Sequence, residues 1–141
     1  MRNSMILVFA SIALIGCNVL GIGGSEFEGL SITTEKQQYS PNEPKVITFN
    51  NTSKQTVYLE NCSWVLEKNS EGEWEVVNGV GCDPIAGSVD IPIKNNDTYR
   101  DTIRFSINSG SGEYRYRYSV LNSDKKKIPD KFATTNVFLV E

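Results

Sequence analysis

The sequence predicts an all-β domain, an antiparallel β-sandwich of seven to nine short strands that follows an N-terminal signal segment. From residue 29 onward, apolar and polar residues alternate at every second position in short runs, which is typical of strands with one buried face. Clusters of Gly, Pro, Asn, Asp and Ser separate these runs, as turns separate strands. No run after residue 29 has the 3.6-residue period of an amphipathic helix. We therefore expect two packed sheets.

Five runs in the first half are predicted strands: residues 30–33, 45–50, 57–59, 64–68 and 74–77. A turn rich in Pro and Asn at 39–44 precedes the second run, and the polar turn 51–54 ends it. The last two runs flank the polar segment 69–73, which predicts a hairpin with a longer loop.

The second half repeats the alternation. Val89, Ile91 and Ile93 predict a strand, which Pro92 places at a sheet edge because proline cannot donate to a ladder. The other predicted strands are 103–107, with apolar Ile103, Phe105 and Ile107, then 114–120, with Tyr114, Tyr116 and Tyr118, and finally 137–140.

Composition excludes several classes of function. The chain has 141 residues, 14 basic and 17 acidic side chains, and no histidine. A net charge of −3 offers no basic surface for nucleic acid. Without histidine the commonest general base and metal ligand are missing, and the sequence has no metal-ligand cluster or phosphate-binding loop. We predict no catalytic residue, no metal site, no cofactor and no nucleic-acid partner.

The first 16 residues predict a bacterial lipoprotein signal peptide. Arg2 is followed by an apolar run over residues 5–15, which is too short to span a bilayer comfortably. At the end of this run, Leu14-Ile15-Gly16-Cys17 resembles the bacterial lipobox. The resemblance implies cleavage after Gly16 and a thioether from Cys17 to diacylglycerol, whose acyl chains would anchor the mature chain to a membrane.

The alternative is an uncleaved transmembrane anchor over residues 5–22, although glycines and an asparagine inside it weaken such a helix. After cleavage, residues 17–28 would be a lipidated, glycine-rich tether and residues 29–141 the folded domain. Loss of Arg2 leaves 13 basic side chains against 17 acidic ones, which disfavours folding the domain down onto anionic lipid. We expect an exported protein, lipid-anchored to the plasma or outer membrane of a bacterial cell envelope.

Three segments resemble the sequence pattern of bacterial immunoglobulin-like domains: Tyr39-Ser40-Pro41-Asn42-Glu43, residues 46–53, and Gly112-Glu113-Tyr114-Arg115. In that pattern a Y-x-P-G-E turn precedes a strand ending in N-x-S, and a late G-x-Y-R strand closes the core. The segments are also similar to the intracellular-type proteinase inhibitor domain of bacilli. The resemblance covers residues 30–140 and implies an immunoglobulin-like sandwich, with a structural tyrosine corner at Tyr114.

Cys62 and Cys82 predict a disulfide. With Cys17 lipidated, they are an even pair in an exported and oxidising setting. The bridge would close a loop of about 20 residues and stabilise the domain by roughly 3 kcal/mol. The alternative, a redox pair of free thiols, lacks both a C-x-x-C spacing and a neighbouring base.

Four residues near these cysteines are candidate binding residues. Trp64 and Trp74 are the largest possible anchors if either faces solvent, because aromatic residues dominate binding hot spots. The alternative for each indole is the core or the hairpin face. Asp83 and Pro84 follow Cys82 in a loop and are the next candidates.

Two clusters of like charge are expected to be solvated surface. Glu67, Glu71, Glu73 and Glu75 surround the predicted hairpin, and Lys125-Lys126-Lys127 lies in a late loop. Alternation along an exposed strand explains the first cluster and a hairpin tip explains the second.

These observations predict a membrane-anchored envelope lipoprotein whose immunoglobulin-like domain is a non-catalytic binding or structural module with a protein or glycan partner. The alternative is a proteinase inhibitor that presents a disulfide-braced loop between Cys62 and Cys82, because such a loop loses less entropy on docking. An enzyme that uses carboxylates alone is a third class, and it would need a buried acidic pair with opposed pKa shifts.

Overall fold

The computed structural model describes the backbone of residues 26–80 and 89–141 and, except at 61–63 and 80, their side chains. Nine strands lie in these ranges, together with one short 3₁₀ helix at Asp130–Phe132. The strands are β1 (Leu30–Thr34), β2 (Gln38–Tyr39), β3 (Lys45–Asn51), β4 (Val57–Ser70), β5 (Glu73–Val80), β6 (Ile91–Ile93), β7 (Asp97–Ile103), β8 (Gly112–Leu121) and β9 (Phe138–Val140). The predicted all-β class is confirmed.

The strands form two sheets. The first has three antiparallel strands in the order β1-β3-β7. The second has six strands in the order β2-β9-β8-β4-β5, with β6 also paired to β4. Within this second sheet the short β2–β9 pair is parallel and the other pairs are antiparallel. Packing the two sheets face to face gives the predicted sandwich.

Alternating side chains from both sheets fill the space between them. Tyr114, Tyr116 and Tyr118 of β8 are buried, as the alternation predicts. Across the sandwich Phe49 of β3 is fully buried and meets the Tyr118 ring edge to face, with ring centroids 4.8 Å apart. Trp64 of β4 makes a second edge-to-face contact with Tyr116 at 5.3 Å.

The two strands predicted at 57–59 and 64–68 are one 14-residue strand. Leu59 pairs with Val120 and Trp64 with Tyr118, so four residues of β4 lie opposite a single residue of β8. This large bulge breaks the period of two in the sequence, and that break made the strand look like two. The bulge keeps Leu59 and Trp64 on the same inner face.

The strand predicted over 103–107 is wrong: β7 runs over Asp97–Ile103 and shares only Ile103 with the prediction. Ile107 is nevertheless buried, and its N–H donates to the carbonyl of Pro41 at 3.0 Å. Phe105 packs its ring against Trp64, with centroids 6.3 Å apart. Phe105 and Ile107 therefore alternate like strand residues, but they lie in a loop that covers the core and does not pair with a strand.

Two of the segments that resemble bacterial immunoglobulin-like domains supply side chains that hydrogen-bond to backbone at the ends of strands. Asn51, which is fully buried, donates to the carbonyls of Gln55 at 2.8 Å and Ile93 at 2.9 Å, while its Oδ1 accepts from the Ser53 N–H at 3.1 Å. One amide thus joins the turn after β3 to the end of β6. Tyr114 donates its hydroxyl to the carbonyl of Gly110, so the predicted tyrosine corner is present.

The turn before β3 is held by a buried lysine. Lys45 is fully buried, and its Nζ donates to the carbonyl of Pro41 at 2.8 Å. Burial lowers the pKa of Lys45, an effect that the nearby Glu43 carboxylate partly opposes.

Of the predicted strand at 89–93, only 91–93 joins the sheet, and Pro92 is exposed there at an edge.

Candidate functional site

The outer face of the six-stranded sheet carries a set of charged and aromatic side chains. Arg115, Arg117 and Ser119 alternate with the buried tyrosines of β8 and therefore project outward. The β4–β8 register places Glu67 opposite Arg115 and Val65 opposite Arg117. Opposite residues of neighbouring strands share one face, so these four side chains meet on the surface of the sheet.

Glu67 is the centre of this set. Its carboxylate accepts from Arg115 Nε at 2.7 Å on one oxygen and from Arg117 Nε at 2.8 Å on the other. The Glu67 side chain is only 6% exposed, whereas those of Arg115 and Arg117 are 27% and 31% exposed. Burial alone would raise the pKa of the Glu67 carboxyl, but the two guanidinium groups together lower it. A buried carboxylate therefore holds two arginines in fixed positions.

Further contacts hold each arginine. The Arg115 guanidinium lies over the Trp74 ring of β5, with its Cζ 4.2 Å from the ring centroid. Arg117 has its Nη1 3.6 Å from Asp130 Oδ2 at the start of the 3₁₀ helix. Both arginines thus reach Glu67 through Nε, and Arg117 has a second carboxylate, that of Asp130, near its Nη1.

A groove of about 340 Å³ lies next to Arg117 on this face. Its walls come from β4, β5 and β8 and from the segment after β8, which folds back along that strand through a backbone bridge between Leu121 and Lys127. The residues that line it include Val65, Gly79, Arg117, Ser119, Lys127 and Asp130. The groove thus combines an apolar patch with donors and acceptors, as ligand sites do.

Gly79 keeps the groove open. A Cβ at this position would lie 3.1 Å from Val65 Cγ1 and 3.5 Å from the Trp64 carbonyl. Any larger side chain would therefore crowd Val65 and fill the space beside it. Gly79 has ordinary backbone angles, so its lack of a side chain matters here for space and not for φ.

The four binding residues predicted from the sequence do not lie together in the described part of the structure. Trp64 is buried on the inner face, and Trp74 is half-buried on the outer face beneath Arg115. Asp83, Pro84 and Cys82 lie in 81–88, outside the described residues.

The predicted covalent sites also lie beyond what the structure describes. Gly16 and Cys17 precede residue 26, where the description begins. The backbone of Cys62 belongs to β4, but its side chain lies outside the described part, as does Cys82. The lipidation of Cys17 and the Cys62–Cys82 disulfide stay predictions.

The expectation of a solvated Glu67 is wrong. Its partners are 48 and 50 residues away in sequence, so the local pattern of Glu67, Glu71, Glu73 and Glu75 gave no sign of them. Arginines at alternate positions among the tyrosines of β8 were the available signal, because the second face of a central strand presents its charges to neighbouring strands. Lys125 does lie at an exposed tip, where its Nζ is 2.8 Å from Asp90 Oδ2.

Within 26–80 and 89–141, no three His, Cys, Asp or Glu side chains come together as a metal site would require. Nor does that part of the chain contain a helix long and apolar enough to cross a membrane.

The fold and the outer face define an immunoglobulin-like sandwich that displays a polar surface. The model of the bacterial Ig-like domain family matches residues 26–133. The chain belongs to the bacterial Ig-like domain family. Domains of this family are typically extracellular or exported and are generally non-enzymatic.

Two solved structures are similar to the chain at low sequence identity. A Northeast Structural Genomics Consortium target, SoR45, is 22% identical, covers 79% of this chain and 82% of its own, and has a TM-score of 0.44. The Pseudomonas fluorescens alkylpurine DNA glycosylase AlkC, solved bound to DNA containing an abasic site analog, is 7% identical with a TM-score of 0.40. The similarity covers 80% of this chain and 30% of the glycosylase. A search of curated proteins found no match.

Proposed function

We propose that the protein is a lipid-anchored lipoprotein of a bacterial cell envelope, and that its immunoglobulin-like domain is a non-catalytic module that binds a protein or glycan of that envelope. Membership of the bacterial Ig-like family supports the non-catalytic role. The lipobox-like Leu14-Ile15-Gly16-Cys17 supports the anchor. The observation that carries the binding role is the groove beside Arg117, a concave polar surface on a rigid sheet.

The start of the folded domain indicates which end of the sandwich would lie nearer an anchor at Cys17. Thr52 donates both its N–H and its hydroxyl to the carbonyl of Gly29, at 2.8 and 2.9 Å. Phe27 is buried, with its ring 5.9 Å from that of Phe132. The chain therefore enters the sandwich at the end where β3 finishes. The hairpin tip at Glu71 and Gly72 lies at the opposite end, because β4 runs the whole length between them.

This arrangement favours a partner that meets the flank or the far end of the domain. Eight residues (18–25) lie between Cys17 and Glu26, and a tether of this length reaches about 30 Å when extended. The groove lies on the flank, between the two ends, so a tether of this length leaves it accessible beside a lipid surface.

The anchor is tested by replacing Cys17 with Ser in the native host. The wild-type chain should fractionate with membranes and incorporate an alkyne-labelled fatty acid, whereas Cys17→Ser should lose the label and remain as an unprocessed precursor or be released. Cys62→Ser is the matched control, because it removes a cysteine and leaves the lipobox intact. Unmodified Met1 at the N-terminus of the native protein would refute the anchor.

The binding role is tested by photocrosslinking from two faces of the same domain. A photoreactive residue at Lys127 lines the groove, while one at Thr48 lies on the outer face of the other sheet. In intact envelopes we expect a discrete adduct, either protein or glycan, from position 127 and none from position 48. Equal, diffuse labelling from both positions would contradict a binding face.

A further inference from the structure

We infer that the groove beside Arg117 binds a carboxylate-bearing sugar residue of an acidic glycan. This inference rests on the proposed binding function and specifies its partner. It is carried by four observations on the described residues: the fixed guanidinium of Arg117, a second cation at Lys127, acceptors at the rim, and a small apolar floor that Gly79 leaves open.

The cations supply recognition of a carboxylate. Glu67 accepts from Arg117 Nε at 2.8 Å and so fixes the plane of the guanidinium. Arg117 lines the groove, and its Nη1 lies 3.6 Å from Asp130 Oδ2, beyond hydrogen-bond distance. A planar fork held in advance matches the two oxygens of a carboxylate and loses little freedom on binding. Lys127 is exposed and contributes a second positive charge to the same wall.

The acceptors favour a sugar over a simple anion. Ser119 donates its hydroxyl to Glu60, so its oxygen is left to accept a hydrogen bond from a ligand. The Asp130 side chain is 73% exposed and lies at the same wall. A bare phosphate has few donors for these oxygens, whereas the hydroxyls of a sugar can donate to both.

The size and floor of the groove favour one ring over an extended peptide. At about 340 Å³ it is at the lower end of the range of ligand pockets, roughly 300–1,000 Å³. Val65 and the bare backbone of Gly79 form a narrow apolar patch on which the C–H face of a sugar ring can lie. A peptide would need a longer trough to seat several side chains.

The test is an NMR titration of the full chain in detergent micelles, following the Nε–Hε signal of Arg117. The probe is the methyl glycoside of glucuronic acid, and methyl glucoside is its uncharged counterpart. We expect a saturable shift with the glucuronoside and at least tenfold weaker binding of the glucoside, since charge-assisted hydrogen bonds are lost.

Two variants locate the site. Lys127→Gln should weaken glucuronoside binding by about tenfold, while Lys126→Gln, its exposed neighbour outside the groove, should leave binding unchanged. Gly79→Val should abolish binding by filling the floor. Lys127→Gln lies on an exposed loop, so the inference remains testable even if Gly79→Val fails to fold.

Three results would overturn the inference: no shift at Arg117, equal binding of the glucuronoside and the glucoside, or tighter binding of an acetylated glutamate peptide than of the sugar. The last result would assign the groove to acidic peptides. None of them touches the anchor or the crosslinking test, since a crosslinked partner at position 127 without glucuronoside binding would leave the proposed function standing and remove only this choice of ligand.

Discussion

The two sheets bury similar inner faces and expose very different outer ones. The outer face of the three-stranded sheet, the threonine face, is made mainly of short polar side chains, with one apolar residue, Val46, and one charge, Arg100. The polar residues are Ser31, Thr33, Thr48, Asn50, Thr98 and Thr102. The outer face of the six-stranded sheet has long charged and aromatic side chains centred on Glu67. The comparison shows that alternation specifies the sandwich, while the identity of the outward residues distinguishes a plain surface from a binding surface.

The difference has a physical origin. Threonine suits a strand by its β-branched shape and satisfies its hydroxyl with water, so a threonine face needs no partners. A carboxylate that is 6% exposed needs compensation, which Arg115 and Arg117 supply. The outer face of the six-stranded sheet therefore depends on specific neighbours, and single substitutions there should have larger effects than on the threonine face.

The largest expected effect follows from removing Glu67. Glu67→Ala leaves Arg115 and Arg117 without their shared carboxylate and should lower the free energy of unfolding by about 3 kcal/mol, at the lower end for a broken buried pair because both arginines reach water. Thr48→Ala, at the centre of the other outer face, should cost under about 0.5 kcal/mol. Urea denaturation followed by tryptophan fluorescence measures both. Equal losses would remove the distinction between the faces.

The same carboxylate makes the comparison depend on pH. The pKa of Glu67 is lowered in the folded state, so its contribution to stability is complete above the unfolded value, about 4.3, and is lost as the pH falls through the folded value. The difference in unfolding free energy between the wild type and Glu67→Gln should therefore be constant near pH 7 and shrink below about pH 4.3. For Thr48→Ala the difference should stay constant over the same range. A gap for Glu67→Gln that widens in acid would contradict the lowered pKa.

Much of the fold could be predicted from the sequence because its signals are local. The tyrosines of β8 define a period of two, Tyr114 follows the glycines of its corner, and Pro92 marks an edge. The errors arise where the alternation of apolar and polar residues does not coincide with the backbone hydrogen bonding of a strand. The bulge after Leu59 made one strand look like two. Burial of Ile107 against the turn at Pro41 moved another predicted strand to 103–107, past most of β7.

The candidate site could not be predicted from local sequence patterns. Glu67 meets Arg115 only because β4 and β8 pair in one register, and no feature within either strand specifies that register. The groove also needs the segment after β8 to fold back through the bridge between Leu121 and Lys127. Sequence distance therefore concealed the contacts, although every residue type involved was visible.

A smaller effect is expected at Trp74. Its ring packs under Arg115 at 4.2 Å on an edge strand, where water still reaches it. Trp74→Ala should cost about 1 kcal/mol through the lost cation–π contact and covered area. Trp74→Phe retains a ring and should recover about half of that loss. Thermal unfolding followed by circular dichroism measures the series. A loss as large as that of Glu67→Ala would mean that the indole, and not the carboxylate, organises this face.

The smallest effect is expected on the threonine face and serves to sharpen the comparison. Thr98 is exposed on β7 and lies opposite Asn50, with 3.5 Å between its Oγ1 and Asn50 Oδ1. Thr98→Val keeps the β-branched shape, removes only this long hydrogen bond and should change the free energy of unfolding by less than about 0.5 kcal/mol in either direction. The isosteric exchange removes no charge and exposes no buried group, so unfolding in urea should give the same slope as the wild type. If Thr98→Val instead cost as much as Trp74→Ala, the threonine face would have a role of its own, and the assignment of binding to the Arg117 side would lose its contrast.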